Sequence, residues 1–228
     1  MSVARRRSRS RARHDLSEGE GWPRVVIGRE GLDVSSDWLA GGRAELAAER
    51  ILDAVRTLFL DKGVTTVGMA EVAEAAGCSR ATLYRYFDSR QSLYVAFAGR
   101  EARLLIERVW TEHGFDGSDP EGQLLDVLTA MLAEVRKTPH LAVWFEPANA
   151  GIVAQLSQSP GVIDTLTTAF VGTFRADLTT EAAVRLGQWA VRAMVSLLTL
   201  PAATEDEERA LLRNFLLPFL LDNRIDIS

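Results

Sequence analysis

Residues 67–90 constrain the fold of this chain more than any other stretch, because they contain two short helical patterns separated by a tight turn. Apolar residues recur at the i, i+3, i+4, i+7 spacing of a half-buried helix over residues 69–76. Gly77 favours the left-handed conformation that ends many helices, and Ser79 is a good N-cap for a second helix over residues 80–87. The sequence therefore predicts two helices joined by a short turn.

The predicted second helix carries a dense row of hydroxyl, basic and aromatic side chains. Leu83 and Phe87 are expected to point inward, which leaves the polar residues facing outward. Two short helices joined through a glycine-containing turn are typical of the helix-turn-helix motif, whose second helix enters the major groove of DNA. An ordinary helical hairpin with a polar face would give the same local pattern, so the flanking sequence has to separate the two interpretations.

Helical patterns flank this motif on both sides. Residues 45–62 form an amphipathic stripe, and Asp88 and Ser89 are capping residues for a longer helix that runs to about residue 109. In this setting residues 51–97, ILDAVRTLFLDKGVTTVGMAEVAEAAGCSRATLYRYFDSRQSLYVAF, resemble the DNA-binding domain of the TetR (tetracycline repressor) family of bacterial regulators. The run AEAAGCSRATLYRYF is the most specific part of that resemblance.

The resemblance implies a set of DNA-contacting side chains on and beside the second helix. Arginine can bind guanine through two hydrogen bonds or pair with phosphate, and hydroxyl groups can reach phosphate oxygens. The residues expected to contact DNA are Ser79, Arg80, Thr82, Tyr84, Arg85, Tyr86 and Arg90. At Val67, Gly68 and Ala70 the chain departs from the usual hydroxyl and polar residues of the family, so phosphate contacts there do not carry over.

Residues 1–14 are rich in arginine and serine, without apolar periodicity, and are predicted to be disordered in isolation. A basic arm beside a DNA-binding domain can follow phosphates or enter a narrow minor groove. A solubilising tail that acts only through its charge is the alternative. The arginines of this arm are Arg5, Arg6, Arg7, Arg9, Arg11 and Arg13. Residues 15–43 do not match the family pattern, and we expect them to form a partly ordered extension.

The charge of the chain is unevenly distributed. The formal net charge is −5, yet residues 1–100 carry 16 Lys and Arg against 13 Asp and Glu, and the remainder carry 10 against 18. Binding of nucleic acid depends on the local patch that meets phosphate. The overall acidity therefore does not oppose an interaction with DNA.

The residue content gives no support to catalytic or metal chemistry. Cys78 is the only cysteine and the three histidines are scattered, so the sequence indicates neither a disulfide nor a metal site. No nucleophile with a base at readable spacing and no phosphate-binding glycine loop is present, and we expect no catalytic residues, no enzymatic activity and no cofactor. Without a long apolar run or a signal-peptide core, the sequence predicts a cytoplasmic protein with no membrane association.

Helical patterns continue to the end of the chain, with predicted helices over residues 120–137, 181–200 and 204–221. No strand pair is evident, so the predicted fold class is all-α. We divide the chain into a basic extension over residues 1–43, a helix-turn-helix DNA-binding domain over residues 44–99, and a helical ligand-binding and dimerisation domain over residues 100–228.

The resemblance further implies a homodimer formed by the last two long helices, a palindromic operator in double-stranded DNA, and a small-molecule pocket between the central helices. Candidate pocket residues are Trp110, Leu128, Leu132, Trp144, Phe145, Asn149, Phe170, Phe174, Trp189 and Arg192. Many of these would serve equally well as ordinary core residues. The polar side chains of Glu146, Asn149 and Arg192 could orient a largely apolar ligand.

We therefore expect a TetR-like transcriptional regulator that acts as a repressor and leaves its operator when the ligand binds. The alternative is an architectural DNA-binding protein whose C-terminal domain only dimerises. Such a protein would show little preference among DNA sequences, whereas a repressor should favour one palindrome by orders of magnitude.

Overall fold

A computed structural model describes residues 38–114, 116–157 and 162–222, which all belong to one compact unit, Asp33–Ser228. Over these residues the chain is helical and forms no strand, so the predicted all-α fold is confirmed. No helix in this part of the chain has the length and apolarity needed to cross a membrane. The arginine arm and nearly all of the extension lie outside the described residues.

The described residues form eleven α-helices and two single 3₁₀ turns. The α-helices are α1 Trp38–Lys62, α2 Met69–Ala75, α3 Arg80–Tyr86, α4 Arg90–His113, α5 Pro120–Lys137, α6 Pro139–Ala142, α7 Ala150–Ser157, α8 Val162–Phe174, α9 Thr180–Thr199, α10 Glu205–Phe215 and α11 Leu217–Leu221. The 3₁₀ turns, Val143–Phe145 and Pro147–Asn149, connect α6 to α7.

Helix α1 begins at Trp38, earlier than the predicted start at residue 45. The boundary that we drew between residues 43 and 44 therefore falls inside this helix. The glycine pair at positions 41 and 42 costs helix stability but does not end the helix, because the residues on either side include the strong helix formers leucine and alanine. The predicted start of this helix was therefore too late in the chain.

The C-terminal helices also differ in detail from the prediction. The cap of α9 is Thr179, whose hydroxyl accepts a hydrogen bond from the Ala182 N–H at 3.2 Å. The last predicted helix is divided at Leu216, because Pro218 has no N–H to donate and fits only the first turn of a new helix, α11. Thr204 caps α10 as expected, with its hydroxyl 3.1 Å from the Glu207 N–H.

An aromatic cluster joins α1, α4 and the first 3₁₀ turn. The ring of Phe59 packs edge-on against Tyr94, Phe97 and Trp144, with centroids 5.3, 5.2 and 5.2 Å away. All four side chains are buried. Such edge-to-face pairs stabilise a core in addition to the stabilisation that comes from buried area. The packing of Trp144 therefore depends directly on the positions of α1 and α4.

Helix α5 is central to the C-terminal half, as its broad apolar surface predicted. Leu124, Leu128 and Leu132 are almost completely buried. At its C-terminal end Arg136 donates to the Glu208 carboxylate, with the shorter of two contacts at 2.5 Å, and to the Leu197 carbonyl at 3.0 Å. This arginine therefore holds α5 against both α9 and α10.

Candidate nucleic-acid interface and central cavity

The turn between α2 and α3 is built from local interactions. Gly77 has a φ of 66°, in the region that favours glycine. The Cys78 N–H donates to the Ala73 carbonyl at 2.9 Å, and the Ser79 hydroxyl accepts from the Thr82 N–H at 3.0 Å. These hydrogen bonds set the direction in which α3 leaves the turn.

The outward face of α3 is polar and carries no carboxylate. Leu83 and Phe87 are buried as predicted, whereas Arg80 and Arg85 are exposed and Tyr84 is 49% exposed. The Arg85 guanidinium lies over the ring of Tyr86, 5.3 Å from its centroid, which restrains both side chains on the surface. The face presents two cations and a phenol to the solvent.

Ser79, Thr82 and Tyr86 are less available for contact with DNA than the sequence pattern suggested. The Ser79 and Thr82 hydroxyls lie 2.9 Å apart, and Ser79 also caps the helix. Thr82 is half-buried, and Tyr86 is half-buried against the apolar core. Each of these three residues thus has a structural role beside any contact with DNA.

Arg90 at the start of α4 is bound within the protein. Its Nε donates to the Tyr94 hydroxyl at 2.9 Å, and its Nη2 donates to the Thr65 carbonyl at 2.9 Å. Tyr94 in turn donates to the Val64 carbonyl at 2.5 Å. Two of the five N–H donors of this guanidinium therefore hold α4 to the segment between α1 and α2, although the residue remains exposed.

Replacing Tyr94 by phenylalanine should destabilise the domain by about 1–3 kcal/mol, because the Val64 carbonyl would lose its buried partner. Urea unfolding followed by circular dichroism measures this loss. Tyr84→Phe is the matched control, since its ring is exposed and its loss of a hydroxyl should leave the unfolding midpoint unchanged. Equal midpoints for the two variants would contradict the role given to Tyr94.

The N-terminal end of α2 is closed by the protein's own charges. The Glu71 carboxylate accepts from the Gly68 N–H at 2.9 Å and from Lys62 Nζ at 2.7 Å. The hydrogen bond from Lys62 lowers the pKa of Glu71 below its ordinary value. A carboxylate therefore occupies the helix end at which an anion would otherwise be favoured. This agrees with the departure of residues 67–70 from the family pattern.

A cavity of about 270 Å³ lies among α4, α5, α8, α9 and the segment containing α6, the first 3₁₀ turn and α7. Its lining includes five of the predicted pocket residues, which are Leu128, Leu132, Trp144, Phe145 and Phe170. The volume is just below the range of ~300–1,000 Å³ that is usual for small-molecule sites. The structure thus brings half of the predicted pocket together around one space.

The other five predicted pocket residues do not line this cavity. Trp110 packs on Phe170 and Phe174, with centroids 6.4 and 6.3 Å away, so Trp110 and Phe174 are neighbours of the cavity wall. Asn149 is buried and donates to the Val143 carbonyl at 2.6 Å, which fixes the turn before α7. Trp189 and Arg192 are exposed on α9 because they lie on its outer face, and Glu146 is exposed as well.

Sequence reasoning missed the charged cluster at one end of the cavity. Glu101 lines the cavity and is hydrogen-bonded to Arg56 Nη2 at 2.7 Å and to Arg100 Nη2 at 2.9 Å. His140 Nε2 lies 2.9 Å from the other carboxylate oxygen. A signal was present, because Glu101 follows buried Phe97 by one helical turn on the apolar face of α4. The cluster links α1, α4 and α6.

Apolar side chains are exposed on the last long helices. Trp189 on α9 is 48% exposed, and Leu211 and Phe215, one turn apart on α10, are 37% and 64% exposed. Leu212 and Leu216, in the same part of the chain, are buried in the core. The remaining exposed residues are still large for an unpartnered surface.

Comparison with known proteins agrees with this architecture. Residues 51–97 match the family model described as bacterial regulatory proteins, tetR family. The HTH-type transcriptional regulator Rv1255c of Mycobacterium tuberculosis strain H37Rv is 41% identical over 185 residues, which are 81% of this chain and 91% of that protein. The chain belongs to the TetR family of bacterial regulators. It is therefore a helix-turn-helix transcriptional regulator.

Two further proteins extend the comparison. The HTH-type transcriptional regulator AlkX of Mycobacterium tuberculosis is 28% identical over 187 residues, covering 76% of this chain and 85% of that protein. The crystal structure of the TetR family repressor AlkX from Dietzia sp. strain DQ12-45-1b superimposes with a TM-score of 0.58 at 22% identity, covering 76% of this chain and 94% of that chain. This structural likeness concerns the fold alone.

The TetR family match coincides with the helices that form the candidate interface. It begins at Ile51 within α1, includes the whole of α2 and α3, and ends at Phe97 within α4. The hydrogen bonds of Arg90 and Tyr94 lie inside the matched segment, whereas Glu101 and His140 lie beyond it. The charged cluster at the cavity thus joins Arg56 of the matched segment to Glu101 and His140 beyond it.

Proposed function

We propose that this TetR-family regulator is a repressor that binds a palindromic operator as a homodimer and is released when a small, largely apolar molecule enters the central cavity. The observation that carries the DNA-binding part is the exposed face of α3, which has two arginines, a tyrosine and no carboxylate. The cavity beyond the DNA-binding unit carries the ligand-binding part.

In this proposal the exposed side chains of α3 divide between bases and phosphates. Arg80 and Arg85 provide guanidinium groups for guanine edges or phosphate, and Tyr84 provides a hydroxyl for the backbone. Ser79 and Thr82 approach phosphate through the hydroxyl pair at the helix start. Arg90 contributes through the donors that do not bind Tyr94 and Thr65.

A two-fold dimer would cover the exposed apolar side chains of α9 and α10. Dimers with two-fold symmetry use the same patch on both subunits, so Trp189, Leu211 and Phe215 would each meet the partner copy. Large aromatic side chains of this kind contribute strongly to the buried centre of protein interfaces. Two symmetric copies of α3 would then match the two halves of a palindrome.

The variant Phe215→Glu is expected to convert the dimer into monomers at micromolar concentration, because a carboxylate would have to be buried without a partner. Sedimentation velocity or light scattering measures the change in mass. Leu60→Glu is the matched control, since Leu60 is 49% exposed on α1 and lies outside the proposed interface. A monomeric wild type, or a Phe215→Glu variant that stays dimeric, would contradict this interface.

Two sets of interactions connect the cavity with the DNA-binding helices. Trp144 lines the cavity and packs on Phe59 of α1 and on Tyr94 of α4, the second at 5.5 Å. Glu101 lines it as well and binds Arg56 of α1. A ligand that favours a different position of α4 would change both connections and so the position of α3.

Release requires only a modest difference in affinity. Coupling free energies between two binding sites are typically ~1–3 kcal/mol, which corresponds to a roughly 5- to 150-fold change in DNA affinity. A molecule that binds the DNA-bound and the free arrangements equally would release nothing, however tightly it bound. The ligand must therefore bind the arrangement of the free protein more tightly than the DNA-bound arrangement.

The arginine arm, which lies outside the described residues, is proposed to bind phosphates that α2 does not reach. Deleting residues 2–13 should weaken DNA binding and make the dependence of log affinity on log salt shallower by about 0.9 for each phosphate that the arm neutralises. Fluorescence anisotropy at several salt concentrations measures both quantities. An unchanged affinity and slope would mean that the arm is only a solubilising tail.

Selection from a library of random duplexes tests the proposal as a whole. A sequence-specific dimer should enrich a two-fold symmetric sequence with half-sites about one helical turn apart or a modest multiple of it. No enrichment, together with tight binding to the unselected library, would instead favour an architectural DNA-binding protein. Enrichment of a single half-site would exclude the dimeric arrangement but keep the role of α3.

A further inference from the structure

The lining of the central cavity is almost entirely apolar. Leucine, valine, alanine, methionine and aromatic side chains supply nearly all of it. Among the described side chains that line the cavity, Glu101 alone is charged and Thr167 alone carries a hydroxyl. A charge that enters this cavity would therefore lie close to Glu101 or in an apolar environment.

Glu101 is already paired on both of its carboxylate oxygens. Oε1 accepts from Arg56 at 2.7 Å and from Arg100 at 2.9 Å, and Oε2 lies 2.9 Å from His140 Nε2. The side chain is 7% exposed. Burial raises its pKa, but the hydrogen bonds from Arg56 and His140 outweigh burial and hold the pKa below the ordinary value. Glu101 is consequently an ionised and neutralised group at neutral pH.

A charged ligand gains little near Glu101. A carboxylate would have to compete with Glu101 for the Arg56 and Arg100 guanidinium groups, which already bind the Glu101 carboxylate. A cationic head group would have to compete with two guanidinium groups that already hold Glu101. Either ion would also lose its hydration on entering an apolar space, which costs far more than the transfer of a neutral group.

We infer that the cavity selects uncharged apolar molecules, and that it rejects carboxylates and quaternary ammonium ions of the same chain length. This inference rests on the proposed ligand-binding function and adds the chemical class of the ligand. In this inference Glu101 disfavours ions because both of its carboxylate oxygens are already paired. It does not serve as the counter-ion of the ligand.

Four probes with the same hydrocarbon chain separate these classes. Methyl decanoate and 1-decanol are neutral, decanoate is anionic, and decyltrimethylammonium carries a permanent positive charge. Binding to the full-length protein is measured at pH 8 by calorimetry, below the micelle-forming concentration of each probe. The neutral pair should bind at least tenfold more tightly than either ion. The ester and decanoate differ chiefly in charge, so their comparison is the most direct.

Two variants locate the binding site and test the role of the carboxylate. Ala190→Leu adds methyl groups to a buried residue of the cavity wall and should weaken both neutral probes, while binding to DNA in their absence is retained. Glu101→Gln removes the negative charge and should narrow the difference between ester and acid. Circular dichroism establishes whether Glu101→Gln folds. If this variant does not fold, the affinities of the natural protein for the four probes test the selection of neutral ligands.

Decanoate binding as tightly as its methyl ester would overturn the inference, as would preferential binding of the ammonium probe or failure of both neutral probes to bind. The effect on DNA is measured separately. If an ion binds and releases the DNA, the proposed repressor stands and only the selection of neutral ligands fails. If the neutral probes bind in the cavity without affecting DNA affinity, the selection stands and this ligand class is not the releasing signal.

Discussion

Replacing Arg85 by alanine is expected to abolish most of the sequence-specific binding to the operator. An arginine that contacts a guanine through two hydrogen bonds contributes about 1–3 kcal/mol, roughly a 5- to 150-fold change in affinity for each half-site. Arg85 is exposed on α3 and held above the Tyr86 ring, so its removal should leave the fold intact. Both half-sites of a palindrome would be affected at once, which makes this the largest expected effect on DNA binding.

The measurement is a titration of labelled operator with and without competitor DNA. Arg103→Ala is the matched control, because Arg103 lies on α4 and pairs with Glu107 at 3.1 Å on the helix surface. That exposed ion pair contributes little to the stability of the protein, so the control should bind the operator like the natural protein. Equal affinities of the Arg85 and Arg103 variants would show that α3 does not read the DNA through this residue.

Replacing Glu101 by leucine is expected to cause the largest loss of stability. Arg56 would lose its buried carboxylate partner, whereas Arg100, which is 5% exposed, would keep Glu49 and Asp53 at 3.1 and 2.9 Å. Removing one member of a buried ion pair typically costs about 3–5 kcal/mol, and we expect the lower end of this range because Arg100 keeps two carboxylate partners. Urea unfolding followed by circular dichroism gives the free energy of unfolding directly.

Glu107→Ala is the matched control for Glu101→Leu. Its carboxylate is 59% exposed and binds Arg103 within the same helix, so its removal should change stability by no more than about 0.5 kcal/mol. A Glu101→Leu variant as stable as this control would contradict the stabilising role given to Glu101.

The same cluster predicts a dependence of stability on pH. The pKa of Glu101 is lower in the folded protein than its ordinary value of 4.5, so the folded state favours the ionised form. The stabilisation from Glu101 is therefore fully present above pH 4.5, and it is lost as the pH falls through the lower folded pKa. The natural protein should lose stability over this acid range more steeply than Glu101→Leu does.

The motif around α2 and α3 was predictable because its determinants are local. The glycine at position 77, the cap at Ser79 and the apolar spacing of α2 act within a few residues, and each has the predicted role. The all-α fold class followed from periodicities of the same kind. The cavity-lining positions of Leu128 and Leu132 were predictable because both residues lie on the apolar face of a single helix.

Features that depend on long-range packing were not predictable in the same way. Trp189 and Phe170 are both aromatic residues in apolar helices, yet one is exposed and the other lines the cavity, since packing of the helices decides which face is covered. His140 meets Glu101 only because α6 folds back onto α4. Arg90 shows the same limit, because its hydrogen bond to the Thr65 carbonyl joins residues that are far apart in sequence.

The measurement that tests the central claim most directly is a competition between the selected operator and a scrambled duplex of identical composition, both with the natural protein at physiological salt. A sequence-specific regulator should prefer its operator by about 10³-fold or more. Arg85→Ala should lose most of that preference while keeping its non-specific binding. Equal affinities of the natural protein for the two duplexes would contradict the account, because the exposed face of α3 would then bind DNA without reading its sequence.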